Sequence, residues 1–190
     1  MLNTAIVDCD GVLSDFALEI CQLIDFRLTP DDITRWDFTQ LLGPLEREAV
    51  LRKLRIADTW EKMKPTPWAK ELLSHLRDLN FDVKIVTSPW YMDRKNHCFG
   101  WCETRYRWLD RHFGIPASAV HFAKDKRCYP GAVMIDDKPE NVRSWNKEWP
   151  VDHGFLWELP HNAREREGLR VLNAENFRET LRAEAQGIPA

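Results

Sequence analysis

The sequence predicts a doubly wound α/β fold: a Rossmann-like central parallel sheet with helices on both faces, plus a small helical cap inserted after the first strand. Three observations carry this. Short apolar runs rich in β-branched residues each end in a polar residue, helical patterns lie between them, and one gap is longer than any crossover needs.

The runs are Ala5-Ile6-Val7-Asp8, Val83-Lys84-Ile85-Val86-Thr87 and Ala132-Val133-Met134-Ile135-Asp136, which read as buried parallel strands. Ala119 to Phe122 and the segment around Phe155-Leu156-Trp157 are weaker candidates that would flank them. The helical patterns run from Trp68 to Leu79, Cys102 to Phe113 and Pro139 to Lys147. In open sheets of this kind ligands bind outside the carboxyl ends of the strands, so the polar residues ending the three strong strands would meet at the site.

From Phe16 to about Pro65 the chain spends roughly 50 residues where one crossover needs far fewer. We therefore expect residues 1–15 and 66–190 to form the core and 16–65 the cap. Within the cap, Phe16 to Phe26 and Leu45 to Leu54 have helical spacing, and Thr29-Pro30 resembles a helix start with Thr29 as N-cap. Pro65 and Pro67 mark the return to the core.

Composition narrows the class. The 190 residues suffice for one folding unit, and 27 basic against 30 acidic side chains leave a formal charge of -3. That balance gives no global attraction to nucleic acid or an anionic membrane. No apolar run approaches the ~20 residues of a bilayer span, and the first strand begins too early to follow a signal peptide, so the expected compartment is the cytoplasm. Five scattered cysteines read as free thiols rather than a disulfide framework, and nine tryptophans supply both core and candidate pocket walls.

The richest signal is Asp8-Cys9-Asp10-Gly11-Val12-Leu13-Ser14-Asp15 directly after a strand. Two carboxylates one residue apart at a strand end can serve one metal and one reacting centre, and Gly11 permits a sharp turn. Alone, such a stretch also fits a plain loop or a calcium-binding fragment. Thr87-Ser88 ends the second strong strand, Lys126 precedes the third, and Asp136-Asp137 ends it.

Phosphoryl transfer needs an in-line nucleophile, a divalent cation, donors around the phosphoryl oxygens and a fixed positive charge. Asp8 fits the nucleophile, and Asp10 an acid that protonates the departing oxygen and then a base toward water. Mg2+ would take Asp8, Asp136 and a carbonyl of Asp10; Thr87 and Ser88 would donate to the phosphate, and Lys126 would supply the charge. Taken singly, Asp136-Asp137 also reads as a turn, Lys126 as a surface lysine and Thr87-Ser88 as a helix cap. Their joint order along the strands favours the catalytic reading.

At these residues the sequence resembles the haloacid dehalogenase superfamily, whose motifs are a strand-end D-x-D, a strand-end Thr or Ser, a Lys, and a strand-end acidic pair. Here these are Asp8/Asp10, Thr87, Lys126 and Asp136/Asp137. The resemblance implies a phosphatase, since the superfamily's dehalogenases lack the second aspartate, and it makes Asp137 a support for the acidic pair. Across most of the chain the sequence is similar to the 5'(3')-deoxyribonucleotidase family, through DCDGVLSDF (8–16), VTSP (86–89), Tyr106-Arg107-Trp108 before His112-Phe113-Gly114, Lys124-Asp125-Lys126, IDDKP (135–139) and His161-Asn162. This resemblance implies a nucleoside monophosphate as substrate and places Phe16, Trp36 and Trp60 against its base. For Trp36 and Trp60, packing inside the cap is the competing reading.

The sequence departs from that family around Cys98 to Cys102, across Arg127 to Gly131 and through the cap. Two alternatives therefore stand beside the nucleotidase: a phosphatase of the same chemistry acting on a nucleic-acid terminal phosphate or another metabolite phosphate, and a catalytically inactive nucleotide-binding protein. His97-Cys98, Cys102 and His112 have zinc-ligand types at loose spacing, and Arg94, Lys95, Arg105, Arg107 and Arg111 read as a solvated helix face. The sequence leaves the oligomeric state open, a homodimer included.

Overall fold

The computed structural model describes residues 3–90, 98–149 and 153–187, with residues 98 and 99 described in their backbone alone. Strand β1 (Thr4–Val7) leads into α1 (Phe16–Leu23), α2 (Pro44–Lys53) and α3 (Ala57–Lys62). The chain then alternates through α4 (Ala69–Asp78), β2 (Asp82–Thr87), α5 (Cys98–Phe113), β3 (Val120–Phe122), β4 (Val133–Asp136), α6 (Pro139–Glu148), β5 (Gly154–Trp157), β6 (Arg170–Leu172) and α7 (Phe177–Gly187). The six strands form one parallel sheet in the order β3-β2-β1-β4-β5-β6. Strand order reverses at β1 and β4, so a crevice opens where their carboxyl ends part.

The strands are almost wholly apolar because both faces are covered. Ala5, Val7, Ile85, Val133, Ile135, Phe155 and Trp157 point to one face, where Leu72, Leu73 and Leu76 of α4, Trp108 and Leu109 of α5, and Phe177 and Leu181 of α7 cover them. The alternating residues Ile6, Val86 and Met134 point to the other face, against Trp145 of α6. A one-residue slip of β1 would exchange Val7 for Ile6 and bury the wrong set.

The helices between β1 and α4 have their own apolar centre, formed by Ile20, Cys21, Ile33, Phe38, Val50, Leu54, Trp60 and Met63. Trp101 of α5 joins that centre, so the inserted segment packs on the core through an aromatic contact. Two chain crossings join the segment to the core: Asp15 N donates to Lys64 O at 2.8 Å, and Thr66 N to Leu13 O at 2.9 Å. Thr66 Oγ1 and Trp68 Nε1 both donate to Val12 O at 2.9 Å, which fixes the exit beside the entry.

Local chemistry explains where the elements differ from the sequence pattern. Helix α1 ends at Leu23 rather than running to Phe26, because Asp25 and Phe26 take positive φ values of 54 and 56°. Thr29-Pro30 opens only a short 3-10 turn (Pro30–Asp32), in which Thr29 N and Oγ1 both donate to Asp32 Oδ2. β6 and α3 carry too few regularly spaced apolar residues to stand out in the sequence, and packing creates them, whereas α7 was legible in the i, i+4, i+8 spacing of Phe177, Leu181 and Ala185, a signal the sequence reading missed.

Phe155 is fully buried in the sheet core, whereas Leu45 of α2 is 84% exposed. Phe155→Ala should therefore cost about 3–5 kcal/mol in urea unfolding, and Leu45→Ala less than about 0.5 kcal/mol. Equal losses would contradict this assignment of the core.

Candidate active site

Asp8 still belongs to the sheet, since its N–H donates to Ile135 O at 2.9 Å. The chain then turns tightly: Leu13 N and Ser14 N both donate to Cys9 O at 2.8 Å, and Gly11 N donates to Ser14 O at 2.9 Å. Gly11 has φ +82°, and a Cβ there would lie 2.3 Å from Asp137 Oδ2. Glycine is thus required both for the turn and for the close approach of the acidic pair. The turn brings Ser14 Oγ to donate to Asp10 Oδ1 at 2.7 Å.

Lys126 opens a short 3-10 helix (Lys126–Cys128) and is almost fully buried. Its Nζ donates to Asp8 Oδ1 and to Asp136 Oδ2, each at 2.5 Å, tying the ends of β1 and β4 together. Asp136 is further fixed by Lys138 N at 2.8 Å and Asn141 Nδ2 at 3.0 Å. Asp137 lies 3.1 Å from His161 Nε2, and its backbone carbonyl accepts from Asn162 Nδ2 at 2.7 Å. The motif residues Asp8, Lys126, Asp136 and Asp137 therefore meet at one place, with Thr87 buried at the end of the neighbouring strand β2. Ser88 is exposed and its hydroxyl donates to Ala123 O at 3.3 Å.

Electrostatics follow from burial. Loss of water pushes the Asp8 carboxyl well above its usual range, opposed by Lys126 and reinforced by Asp136, Asp137 and Asp10. Burial alone would neutralise Lys126, but Asp136 and Asp8 outweigh it and hold the ammonium above the ordinary lysine range. Burial also raises Asp137, with His161 pulling against it, and Asp137 in turn raises His161 despite that ring's own burial. Cys9, beside the cluster, is pushed up to about 12 by burial and stays a neutral thiol.

Asp8, Asp136 and Asp137 each offer one carboxylate oxygen within 4.8 Å of the others, and all three are buried. Lys126 faces Asp8 and Asp136 while His161 faces Asp137, and an all-oxygen set of carboxylates suits a hard divalent cation such as magnesium. The carboxylate of Asp10 is outside this group; it faces Ser14 and Arg105 instead.

Arg105 is the residue the sequence pattern misassigned. It was expected on a solvated basic face, yet its side chain is 0% exposed and its Nη2 pairs with Asp10 Oδ1. Trp101, Arg105 and Trp108 follow the i, i+4, i+7 spacing of one helix face, and that spacing was the available signal. Arg107 and Arg111 do face solvent, paired with Glu103 and Glu61, while Arg94 and Lys95 lie outside the described residues.

The aromatic candidates separate by environment. Phe16, half-buried at the start of α1, stacks on Trp60 at 5.9 Å and 19° and meets Phe38 edge-on at 5.6 Å. Trp60 is fully buried and donates Nε1 to Leu54 O at 2.7 Å. Trp36 is 57% exposed, with Lys138 Nζ 3.9 Å from its ring centroid. Together with Pro139, Glu140, His161 and Glu165 these two line a cavity of about 280 Å³ beside the acidic pair. Of the loose zinc-type cluster, His97 and the Cys98 side chain lie outside the described residues, and His112 packs on Trp108 at 4.9 Å. Among the described residues no helix is long and apolar enough to cross a membrane.

Similarity to known proteins points to one family. Residues 3–186 match the family model described as "5' nucleotidase, deoxy (Pyrimidine), cytosolic type C protein". A human protein described as "5'(3')-deoxyribonucleotidase, cytosolic type" is 32% identical over 171 residues, covering 83% of this chain and 80% of its own. A Bacillus subtilis 5'(3')-deoxyribonucleotidase is 26% identical over 192 residues, covering 95% of this chain and 99% of its own. A crystal structure of a haloacid dehalogenase-like hydrolase from Burkholderia xenovorans LB400 has the same fold, with TM-score 0.55 and 17% identity over 98% of each chain.

Gly11→Ala would force both the turn and Asp137 to shift. The expected cost is at least about 1 kcal/mol in urea unfolding, and an unchanged midpoint would contradict the close packing of Gly11 on Asp137.

Proposed function

The chain belongs to the 5' nucleotidase, deoxy (pyrimidine), cytosolic type C family, and from that premise we propose that it is a magnesium-dependent phosphomonoesterase. Its proposed substrates are deoxyribonucleoside and nucleoside monophosphates, and its proposed route is an aspartyl-phosphate on Asp8. The observation that carries this reading is the contact of Lys126 with both Asp8 and Asp136 at adjacent strand ends, with Asp10 two residues after Asp8. The description of the human relative as cytosolic type supports the cytosol as the compartment.

Asp8 attacks phosphorus in line, forming a carboxylate O–P bond as the bond to the nucleoside oxygen breaks. Asp10 delivers a proton to that departing oxygen, and then, as a carboxylate, takes one from the water that cleaves the acyl phosphate. Lys126 keeps a permanent positive charge beside the reacting oxygens, since Asp136 fixes its ammonium from the other side. Thr87, ending the strand next to β1, supplies a donor to the phosphoryl group, and Ser88, just beyond it, would join once its hydroxyl leaves Ala123 O. Asp8, Asp136 and the carbonyl of Asp10 would hold magnesium, with Asp137 nearby, and when bound it would supply charge neutralisation between Asp8 and a phosphate dianion.

On this reading residues 16–65 act as a cap that recognises the nucleoside. Phe16 and Trp36 are the accessible aromatic faces, and Trp60, buried behind Phe16, supports its ring. The cavity shared by Trp36, Lys138 and His161 adjoins the acidic pair, and it supports entry of substrate from that side.

A panel of deoxyribonucleotides, ribonucleotides, sugar phosphates and a 3'-phosphorylated oligonucleotide, assayed with magnesium, tests the substrate. We expect phosphate release from pyrimidine deoxyribonucleoside monophosphates to be fastest; no release from any mononucleotide overturns the substrate claim. Asp8→Asn should lower kcat by roughly 10⁴-fold or more, and chelation of divalent ions should abolish turnover reversibly.

Magnesium should also raise the melting temperature of the resting protein, because a ligand that binds only the folded state stabilises it. Asp136→Asn should remove that rise. A rise that persists in the variant would place the cation elsewhere.

A further inference from the structure

Arg105 presents an unusual balance of charge. Its guanidinium is wholly buried, and its Nε and Nη1 have no hydrogen-bond acceptor among the described residues. The guanidinium carbon lies 4.7, 5.3 and 5.6 Å from the ring centroids of Trp60, Trp101 and Trp108. Aromatic faces thus supply part of the stabilisation that acceptors do not. The anion that compensates the charge is Asp10, paired through Nη2 and Oδ1. An arginine clamped by three rings and one carboxylate has no alternative position.

Asp10 is in the opposite situation. Its side chain keeps 29% of its exposure, and besides Arg105 the one side chain among the described residues that donates to it is Ser14. Both contacts fall on Oδ1, which leaves Oδ2 without a hydrogen-bond partner among the described residues.

We propose that Arg105 is a positioning residue for Asp10: it pins Oδ1, so that Oδ2 faces the bond being broken. The proposal rests on the reading of Asp10 as acid and base. It gives Trp60, which comes from the inserted helices, a second task. By walling Arg105 it transmits the seating of the cap to the catalytic loop.

The test compares phenyl phosphate with p-nitrophenyl phosphate, two esters of nearly the same size, so that recognition by the cap cancels. The phenolate leaving group is the more basic and depends more on a delivered proton. The constant kcat/KM reports steps up to phosphoryl transfer onto Asp8, so the later hydrolysis does not enter. Arg105→Met should lower kcat/KM for phenyl phosphate by roughly 10- to 100-fold, and for p-nitrophenyl phosphate by no more than about threefold. Arg105→Lys, which keeps the charge and spares the fold, should show the same selectivity to a smaller degree.

Asp10→Asn is the reference, and combining it with Arg105→Met should add little further loss for phenyl phosphate. Equal loss on both esters, or loss on neither, in an Arg105 variant while Asp10→Asn discriminates overturns the positioning role alone. If Asp10→Asn itself shows no discrimination, the acid and base reading falls, and this proposal with it.

Discussion

The contact on which the rest of the structure depends is Lys126 bridging Asp8 and Asp136. Burying two carboxylates between parallel strands costs several kcal/mol per ion, and one ammonium recovers that cost only if both hydrogen bonds are well made. The fold meets this condition by construction: β1 and β4 are hydrogen-bonded neighbours, so their terminal carboxylates are held close whatever else moves. Lys126 then closes the pair from a short helix that precedes β4. Asp137, held by His161, joins them, and on the proposed function this carboxylate set would receive the divalent cation.

The same ladder explains which parts of the molecule could be seen in the sequence. A β-branched run ending in Asp or Thr exposes both its strand character and its chemical terminus, so β1, β2 and β4 and the residues Asp8, Thr87 and Asp136 were legible together. β6 was not, because Arg170-Val171-Leu172 is three residues long and lies at the sheet edge, where alternation has no room to show. Helix α3 was hidden for another reason. Of its residues 57–62 only Trp60 is buried, and a single apolar residue has no period. Arg105 was hidden by its charge, which suggested solvent, although the flanking Trp101 and Trp108 marked the same helix face as inward.

Two aspartates separated by one residue thus acquire different surroundings. Asp8 sits in a dry cluster of like charges against one lysine, and it is suited to hold cation and phosphoryl group. Asp10 sits one turn outward against a hydroxyl and a guanidinium, and it keeps contact with water. On the proposed mechanism, environment rather than residue type would divide nucleophile from proton carrier. Gly11 makes the division possible, because only a residue without Cβ lets the loop turn back against Asp137.

On the proposed function, substrate selection and chemistry would be joined through packing rather than through a shared ligand. The face of Trp60 toward Phe16 supports the aromatic wall proposed for the nucleoside, and the same ring lies over Arg105. Protein interiors do not deform continuously, so a wall seated wrongly on one side displaces what it touches on the other. On that proposal, a nucleoside pressing Phe16 against Trp60 would consolidate the setting of Arg105 and hence of Asp10, whereas a phosphate ester too small to reach Phe16 would leave that setting to the resting fold alone. On this argument discrimination by the cap appears partly in the rate of proton delivery and not only in binding, and that follows from placing one tryptophan between two functions.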